Sequence, residues 1–425
     1  MGTWLKVGDR AEIEIVDVAF GGDGVGRVAD GVLFVPFTVD GDTMEIEVTE
    51  VRKRYARGRL CRIITPSRHR VPPACTDYAR CGGCRMQHIA YGHQLELKGR
   101  QIAEIFRRIA QVSCPPLEPP IPSPLPFGWR GKAEFHLVSE QAGPRRAGLM
   151  AMASHELIEV ERCGIVAESI NEKYRAFRKA LQAGGMRVPG ERQIIWSDEP
   201  GEPPTEIFAG PGQPPDVTRI VRGVKLTVPY RGFFQANTAL VGELADQVAG
   251  LCGLTGGETV IDAYGGAGLF SLFLGPRAGR LYGVEGDRDA VRCARINLLR
   301  AGLAQAEFLH GDVGEILGRE FAARRRRADV VILDPPRDGC GKGVLDGVAA
   351  LHPDRIVYIS CNPATQARDV RLLAGRGYRL VRLQPLDMFP QTAHIEVIAL
   401  LTQEAPAPSA AGKSRSASVG GEKRH

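Results

Sequence analysis

Long apolar runs are absent from this chain of 425 residues. No segment approaches the roughly 20 consecutive apolar residues that a membrane-spanning helix needs. The first six residues, Met1-Gly-Thr-Trp-Leu-Lys6, also lack the apolar stretch of a secretory signal. With 44% hydrophobic residues, the composition is that of a globular protein long enough for two or three domains. We therefore expect a cytoplasmic, multi-domain protein, with a monomer as the default state.

Acidic residues are missing from one segment of the chain. Residues 52–70 contain eight arginines and lysines and no aspartate or glutamate, although the net charge of the whole chain is only +6. An uninterrupted basic segment indicates contacts with phosphate groups, and Tyr55 within it favours nucleic acid. The alternative is a basic face that only water contacts.

The ten cysteines lack the density of a secreted disulfide scaffold. Three of them, Cys75, Cys81 and Cys84, lie within ten residues, and Gly82 and Gly83 let that segment fold tightly. A fourth ligand would come from Cys61, Cys114 or Cys163. We favour Cys163, because it follows a predicted strand that would return to the cysteine segment. Three clustered cysteines with one distant cysteine favour an iron–sulfur cluster over zinc.

The pattern of predicted elements divides the chain into four parts. Residues 1–64 contain short strands and glycine-rich turns, which predict an OB-like β-barrel. Residues 65–223 form a small α+β region with the cysteines, a predicted helix near 89–109 and paired strands joined through 139–144. Residues 224–402 alternate strands and helices, which predicts an α/β Rossmann-like domain. Residues 403–425 are rich in Ala, Pro, Ser and Gly and predict a disordered tail.

The α/β part lacks the complete Gly-x-Gly-x-x-Gly spacing of a dinucleotide site. It has instead a predicted strand ending at Asp262, the glycine turn 263–268, and a second strand ending at Glu285. Glycines let a ligand approach the backbone, and an acid after the second strand accepts hydrogen bonds from ribose hydroxyls. The absence of a pyrophosphate-binding turn favours a nucleoside with a sulfonium group, S-adenosylmethionine. Asp312 and Asp334 follow two further predicted strands.

A candidate nucleophile follows the next strand. The β-branched run 355–359 predicts a buried strand, and Ser360-Cys361-Asn362-Pro363 follows directly. Catalytic groups of open α/β sheets gather at the carboxyl ends of the strands. A thiolate there suits covalent catalysis, although a lone cysteine is more often a small buried apolar residue.

Together these motifs resemble the RNA uracil-5-methyltransferases that carry an N-terminal TRAM domain and an iron–sulfur cluster. The resemblance spans about residues 6–401 and rests on the cysteine set, Gly232-Phe-Phe-Gln-Ala-Asn237, Asp334-Pro-Pro-Arg337, Ser360-Cys-Asn-Pro363 and His394-Ile-Glu396. It implies that Cys361 is the nucleophile, that Glu396 removes the C5 proton, and that a 4Fe-4S cluster binds Cys75, Cys81, Cys84 and Cys163. It also implies S-adenosylmethionine ligands at Gln235, Tyr264, Gly265, Gly266, Gly268, Glu285, Asp312 and Asp334.

This chain departs from the family at one position. The family's turn commonly has cysteine where this chain has Gly265, a change expected to cost little because that cysteine is not the nucleophile. Asp334 is expected to face either the cofactor or the target base.

The resemblance implies an RNA substrate, with 23S ribosomal RNA expected and transfer RNA as the alternative. Two other functions remain open. Asp-Pro-Pro motifs also occur in methyltransferases acting on amino groups or small molecules, and a non-catalytic RNA-binding protein would retain the barrel and the cysteines.

Overall fold

The computed structural model describes residues 5–28, 31–138, 145–184, 188, 190–210 and 212–404. The predicted turn at 139–144 and the predicted tail beyond residue 404 lie outside these ranges. Within them, no helix is both long enough and apolar enough to span a bilayer.

The N-terminal part is a closed five-stranded barrel, as expected. Its strands are β1 Arg10–Val18, β2 Asp23–Val28, β3 Gly31–Pro36, β4 Thr43–Val51 and β5 Tyr55–Thr65, hydrogen-bonded in the order β1-β2-β3-β5-β4. Side chains alternate between the inside and the outside of the barrel along β4. Met44, Ile46 and Val48 are buried in the interior, while the glutamates between them face outward. One of the predicted glycine-rich turns, residues 20–27, is mostly strand β2. Gly24 is required there, because a Cβ at that position would lie 2.0 Å from Thr38 Oγ1.

The basic segment 52–70 is mostly strand β5. Its arginines form ion pairs with aspartates and glutamates from other segments of the barrel. The neighbouring strand β4 presents glutamates to the arginines of β5: Arg57 pairs with Glu50 at 3.8 Å, Arg59 with Glu47 at 2.9 Å and Arg62 with Glu45 at 3.6 Å. Arg57 also pairs with Asp23 at 3.0 Å, and Arg70 with Asp42 at 2.5 Å. Much of the positive charge that suggested phosphate contacts is therefore paired within the barrel.

The central part joins one long helix to a small sheet. Helix α1 spans Tyr91–Ile105 and continues as a π-helical turn, Phe106–Ala110, close to the predicted helix. The sheet contains β6 Lys132–Val138, β7 Arg146–Met150, β8 Leu157–Ile158 and β9 Arg192–Trp196 in the order β8-β7-β6-β9, and helix α2, Glu168–Gln182, packs against it. A two-stranded ribbon, β10 Val217–Val221 and β11 Val224–Val228, follows.

The C-terminal part is a seven-stranded α/β sheet. The strands are β12 Thr259–Ala263, β13 Arg280–Glu285, β14 Ala306–His310, β15 Val330–Leu333, β16 Arg355–Ser360, β17 Tyr378–Leu386 and β18 Glu396–Gln403. The helices are α3 Val241–Cys252, α4 Leu269–Leu274, α5 Arg288–Arg300, α6 Val313–Ile316, α7 Lys342–Ala350 and α8 Pro363–Ala374. Short 3-10 and π-helical turns at Gly275–Arg277 and Leu317–Ala322 follow α4 and α6.

The strand order β14-β13-β12-β15-β16-β18-β17 places the ligand site. The first five strands are parallel, and β18 runs antiparallel to β16 and β17. Chain order reverses between β12 and β15, and ligands of such sheets bind beside the carboxyl ends at that point. Because β18 is antiparallel, its first residue lies at this same edge.

Candidate active site

The glycine turn after β12 has the backbone conformation of a close ligand contact. Tyr264 has φ +63° and Gly266 has φ +53°, both in the left-handed region that is rare for residues other than glycine. The amide of Gly266 donates a hydrogen bond of 3.0 Å to Glu285 Oε2. Gln235, Tyr264, Gly265, Gly266 and Asp334 line one cavity at this edge. The sheet thus brings together five of the eight predicted cofactor residues, with Glu285 bonded to the turn.

The two remaining predicted residues lie beside that cavity. Gly268 is the N-cap of helix α4 at φ +88°, a left-handed backbone conformation that favours glycine. Asp312 is exposed after β14, and its carboxylate accepts a 3.0 Å hydrogen bond from the amide of Glu315 at the start of α6. It lies at the same edge of the sheet as Glu285, because Glu285 pairs with His310 at the end of β14.

The structure explains why this chain has glycine at position 265. A Cβ on Gly265 would lie 2.9 Å from Phe308 Cζ, and one on Gly283 of β13 would lie 2.2 Å from Phe308 Cε2. The ring of Phe308, which is buried, therefore occupies space that both glycines leave open. A side chain at position 265 would therefore need Phe308 to move.

Three carboxyl groups, those of Asp262, Glu285 and Asp334, lie at this edge of the sheet, and Asp334 lines the cavity. Burial raises the pKa of Asp262 to about 6, despite a 2.6 Å hydrogen bond from Ser271 Oγ, and its Oδ1 has no partner within the described residues. Burial and the charges of Asp262 and Glu285 raise the pKa of Asp334, whose Oδ2 accepts from Gln235 Nε2 at 3.3 Å. A cationic ligand would relieve this repulsion, so the residues fit a sulfonium nucleoside.

Cys361 lies immediately after β16, at the same edge. Ser360 pairs with Val397 across β16 and β18, which places Cys361 opposite Glu396. Burial and the charge of Glu396 raise the pKa of the Cys361 thiol to about 11, while the Arg337 guanidinium opposes this shift. The thiol is only half-buried and is therefore accessible from the site.

The residues around Cys361 hold it through short-range contacts. Asn362 caps helix α8 by accepting from the amide of Ala364 at 3.2 Å, and Pro363 takes the first helical position. Asn362 Nδ2 and Thr365 Oγ1 both donate to the carbonyl of Arg337 at 3.1 Å. The motif therefore fastens the loop after Asp334 beside the thiol.

Glu396 is the first residue of β18 and is only 3% exposed. Burial and the charge of Asp334 raise its pKa well above the ordinary value, and Arg337 opposes the shift. A carboxylate with a raised pKa is a stronger base than one in water. Asp334 and Cys361 directly follow strands β15 and β16, and Glu396 begins the adjacent strand β18. This arrangement suits addition of the Cys361 thiol to a substrate and removal of a proton by the Glu396 carboxylate.

The four predicted metal-binding cysteines line one cavity of about 130 Å³. Within the described residues, no three His, Cys, Asp or Glu side chains stand close enough to hold a single metal ion. Burial, with mutual repulsion of the thiols, raises the pKa of Cys81 and of Cys84, the latter to about 12. Arg130 and Arg162 also line the cavity. Cys61 and Cys114 are both exposed and lie outside this lining.

Two residues at the site were not selected from the sequence. Arg337 belongs to the Asp-Pro-Pro-Arg motif, and its charge acts on both Cys361 and Glu396. Arg130, which the sequence indicates as a contact for a phosphate or a base, lines the cysteine cavity instead. Phe233 is 73% exposed and lines the cofactor cavity. Motif membership would have found Arg337 and Phe233, but only tertiary structure shows the position of Arg130.

Comparisons with known proteins agree with this geometry. Residues 222–404 match the family model described as tRNA (Uracil-5-)-methyltransferase, and residues 5–61 match the TRAM domain. An uncharacterized RNA methyltransferase of Halalkalibacterium halodurans is 32% identical over 92% of this chain and 97% of its own length. One from Thermosynechococcus vestitus is 33% identical over 95% of this chain and 100% of its own length.

A solved structure shares the fold over most of the chain. The tRNA (uracil-54, C5)-methyltransferase of Pyrococcus abyssi, in complex with S-adenosyl-L-homocysteine, superposes with a TM-score of 0.68 at 22% identity, covering 92% of this chain and 100% of its own. From the family models and the curated relatives together, we conclude that this chain belongs to the TRAM-containing family of S-adenosylmethionine-dependent RNA (uracil-5-)-methyltransferases.

Proposed function

We propose that this protein methylates C5 of a uridine in RNA through a covalent bond between Cys361 Sγ and C6 of the base. The observation that supports this most directly is the cross-strand placement of Cys361 opposite Glu396, beside the cofactor cavity. We further propose that it acts as a monomer, with 1–64 contacting RNA, 65–223 holding the cysteine site and 224–402 carrying the chemistry.

In this mechanism, addition of the Cys361 thiolate to C6 forms a C–S bond and moves the ring electrons to C5 as an enolate. S-adenosylmethionine supplies the methyl group from its sulfonium. After C5 is methylated, Glu396 accepts the C5 proton, the C5–C6 double bond re-forms, and the thiolate leaves. Arg337 favours the thiolate of Cys361 by its positive charge.

The expected RNA is a single-stranded or loop segment. A thiol cannot reach C6 of a stacked base, so the target uridine must leave its stack. The exposed ring of Phe233, at the cofactor cavity, offers a surface for stacking of an extruded base. Lys132 Nζ donates to the carbonyl of Gly232 at 2.5 Å and so helps to fix that loop.

For the cysteine cavity we propose a 4Fe-4S cluster bound by Cys75, Cys81, Cys84 and Cys163, with a structural role. Four thiols lining one cavity support it, and the two arginines there would balance the negative charge of a thiolate-bound cluster. Asn171 holds the Cys163 backbone by accepting from its amide at 2.9 Å and donating to its carbonyl at 3.2 Å. Iron, sulfide and zinc analysis of protein purified without oxygen distinguishes a cluster from zinc.

As substrate we propose ribosomal RNA of the 23S type, because the resemblance of the combined TRAM and cysteine motifs points to that class. Transfer RNA is the second candidate, favoured by the description of the matched family and by the activity of the Pyrococcus enzyme.

The test is methylation of purified, unmodified ribosomal RNA and transfer RNA with labelled S-adenosylmethionine, followed by nucleoside mass spectrometry. We expect 5-methyluridine in ribosomal RNA. Label in transfer RNA alone would select the second candidate. Label on an amino group, or in neither RNA, would overturn the proposed function.

A further inference from the structure

The loop between β17 and β18, residues 387–395, is unusually buried for a connecting segment. Seven of its nine residues are buried, and only Phe389 and His394 are partly exposed. The loop begins and ends beside the proposed general base, because Leu386, just before the loop, pairs with Glu396, just after it. Loops normally run over the surface, since buried backbone polar groups need partners. The groups that form hydrogen bonds with this loop should therefore influence the position of Glu396.

Helix α1 supplies those partners from nearly 300 residues away in sequence. Lys98 Nζ donates to Asp387 Oδ1 at 2.6 Å and to the carbonyl of Phe389 at 3.3 Å. Lys98 is 1% exposed and Asp387 is fully buried. Gln94 Nε2 donates to Gln391 Oε1 at 3.0 Å, and Gln94 Oε1 accepts from the Gln391 amide at 3.1 Å.

The cysteine segment holds the same loop from another side. The amides of Arg85 and Met86, directly after Cys84, both donate to the carbonyl of Gln391 at 3.0 Å. Gln391 itself has φ +68°, a conformation that an isolated glutamine rarely adopts. Four hydrogen bonds from α1 and the cysteine segment thus converge on one strained residue, five positions before Glu396.

We propose that Lys98 and Gln94 are positioning residues for proton abstraction: they fix loop 387–395 and, through it, the carboxylate of Glu396. This inference rests on the proposed function, since it concerns the step in which the C5–H bond breaks, its proton passes to Glu396, and the electron pair expels Cys361. A buried ammonium–carboxylate pair gives less stability than its contacts suggest but specifies one arrangement. Addition of Cys361 to C6 does not use this loop, because Cys361 is held by β16 and α8.

The expected signature is a covalent protein–RNA complex that forms at a normal rate but resolves slowly. The variants are Lys98→Met, which keeps the length of the side chain without its charge, and Gln94→Met, which removes the amide at nearly constant shape. Each full-length variant is mixed with S-adenosylmethionine and uridine-containing RNA, and the complex is followed on a denaturing gel. We expect resolution to slow by about tenfold to a hundredfold, the scale of a displaced catalytic group.

Lys173→Met is the matched control, because it removes a lysine from another lysine–aspartate ion pair, with Asp198 at 2.5 Å, that does not touch the loop. Thermal melting identifies variants that are folded, and Gln94→Met, which keeps the Lys98–Asp387 ion pair, tests the inference if Lys98→Met unfolds. Accumulation in the Lys98 or Gln94 variants but not in Lys173→Met supports the inference.

Two outcomes separate the inference from the function on which it rests. If Glu396→Gln accumulates the complex but folded Lys98 and Gln94 variants resolve it like the wild type, the positioning role is wrong and the proposed function stands. If neither Glu396→Gln nor 5-fluorouridine RNA with the wild type gives a covalent complex, the proposed function itself fails.

Discussion

The surroundings of the two proposed catalytic groups are built in opposite ways. Cys361 is held within the C-terminal part of the chain: the contacts of Asn362 and Thr365 with Arg337 span 25 and 28 residues. The loop before Glu396 bonds to Lys98 and Gln94, and these contacts span 289 and 297 residues. The proposed nucleophile thus belongs to a motif within one domain, whereas the proposed general base has partners from a distant part of the chain.

The two proposed catalytic residues therefore differ in how much of the chain is needed to position them. Cys361 lies between strand β16 and helix α8, and Asn362 and Pro363 begin that helix, so the sheet and the motif together fix its position. The carboxylate of Glu396, at the start of a strand, has no such local motif, and the loop before it is bonded to α1 and to the residues after Cys84. The matched family model, residues 222–404, contains every contact that holds Cys361 but none of the α1 residues that hold the loop before Glu396. Substitutions on the two sides should therefore affect different steps.

The largest effect is expected from Glu396→Gln. Removing the base leaves addition and methyl transfer possible but blocks loss of the C5 proton, so the enzyme should stall as a covalent complex with ordinary uridine RNA. Turnover should fall by about 10²-fold to 10⁴-fold, the usual contribution of a positioned general base. Gel analysis with and without S-adenosylmethionine measures this. Normal turnover, or loss of turnover with no complex, would assign the base role to another group.

A smaller effect is expected from Arg337→Met. The guanidinium opposes the raised pKa of Cys361, about 11, so its loss should raise that pKa further and reduce the thiolate fraction at neutral pH. Each unit of pKa corresponds to about a tenfold change in thiolate. Because both pKa values lie well above neutral pH, the deficit in thiolate should be a nearly constant factor from pH 7 to about pH 10 and shrink only as the pH approaches 11. The rate of adduct formation, measured across pH, checks this.

The control for that experiment is Arg319→Met, an exposed arginine that pairs with Glu320 away from the site. It should leave the pH profile unchanged. Alkylation of Cys361 by iodoacetamide without RNA, followed on its peptide by mass spectrometry, separates two explanations. An alkylation rate like that of the wild type, together with slow adduct formation, would show that the arginine orients substrate and does not assist ionisation of the thiol.

The sequence predicted the parts of this molecule that depend on local pattern. Alternation in β4 and the glycine turn after β12 follow from side-chain period and backbone freedom, so the barrel and the α/β sheet could be expected. The basic segment 52–70 shows the limit of such prediction, because the acids that pair with it come from other strands of the barrel, β4 and β2. Phe308 beside Gly265 and Lys98 beside Asp387 are similar cases. Contacts between distant segments have no periodic signal.

The central claim, a covalent bond from Cys361 to the target base, is tested most directly with RNA containing 5-fluorouridine. Fluorine at C5 cannot leave as a proton does, so the methylated adduct should persist whatever the state of Glu396. Digestion and mass spectrometry should then find the modified nucleotide on the peptide containing Cys361, and Cys361→Ala should form no adduct. An adduct on any other residue, or methylation of uridine RNA by Cys361→Ala, would contradict the account.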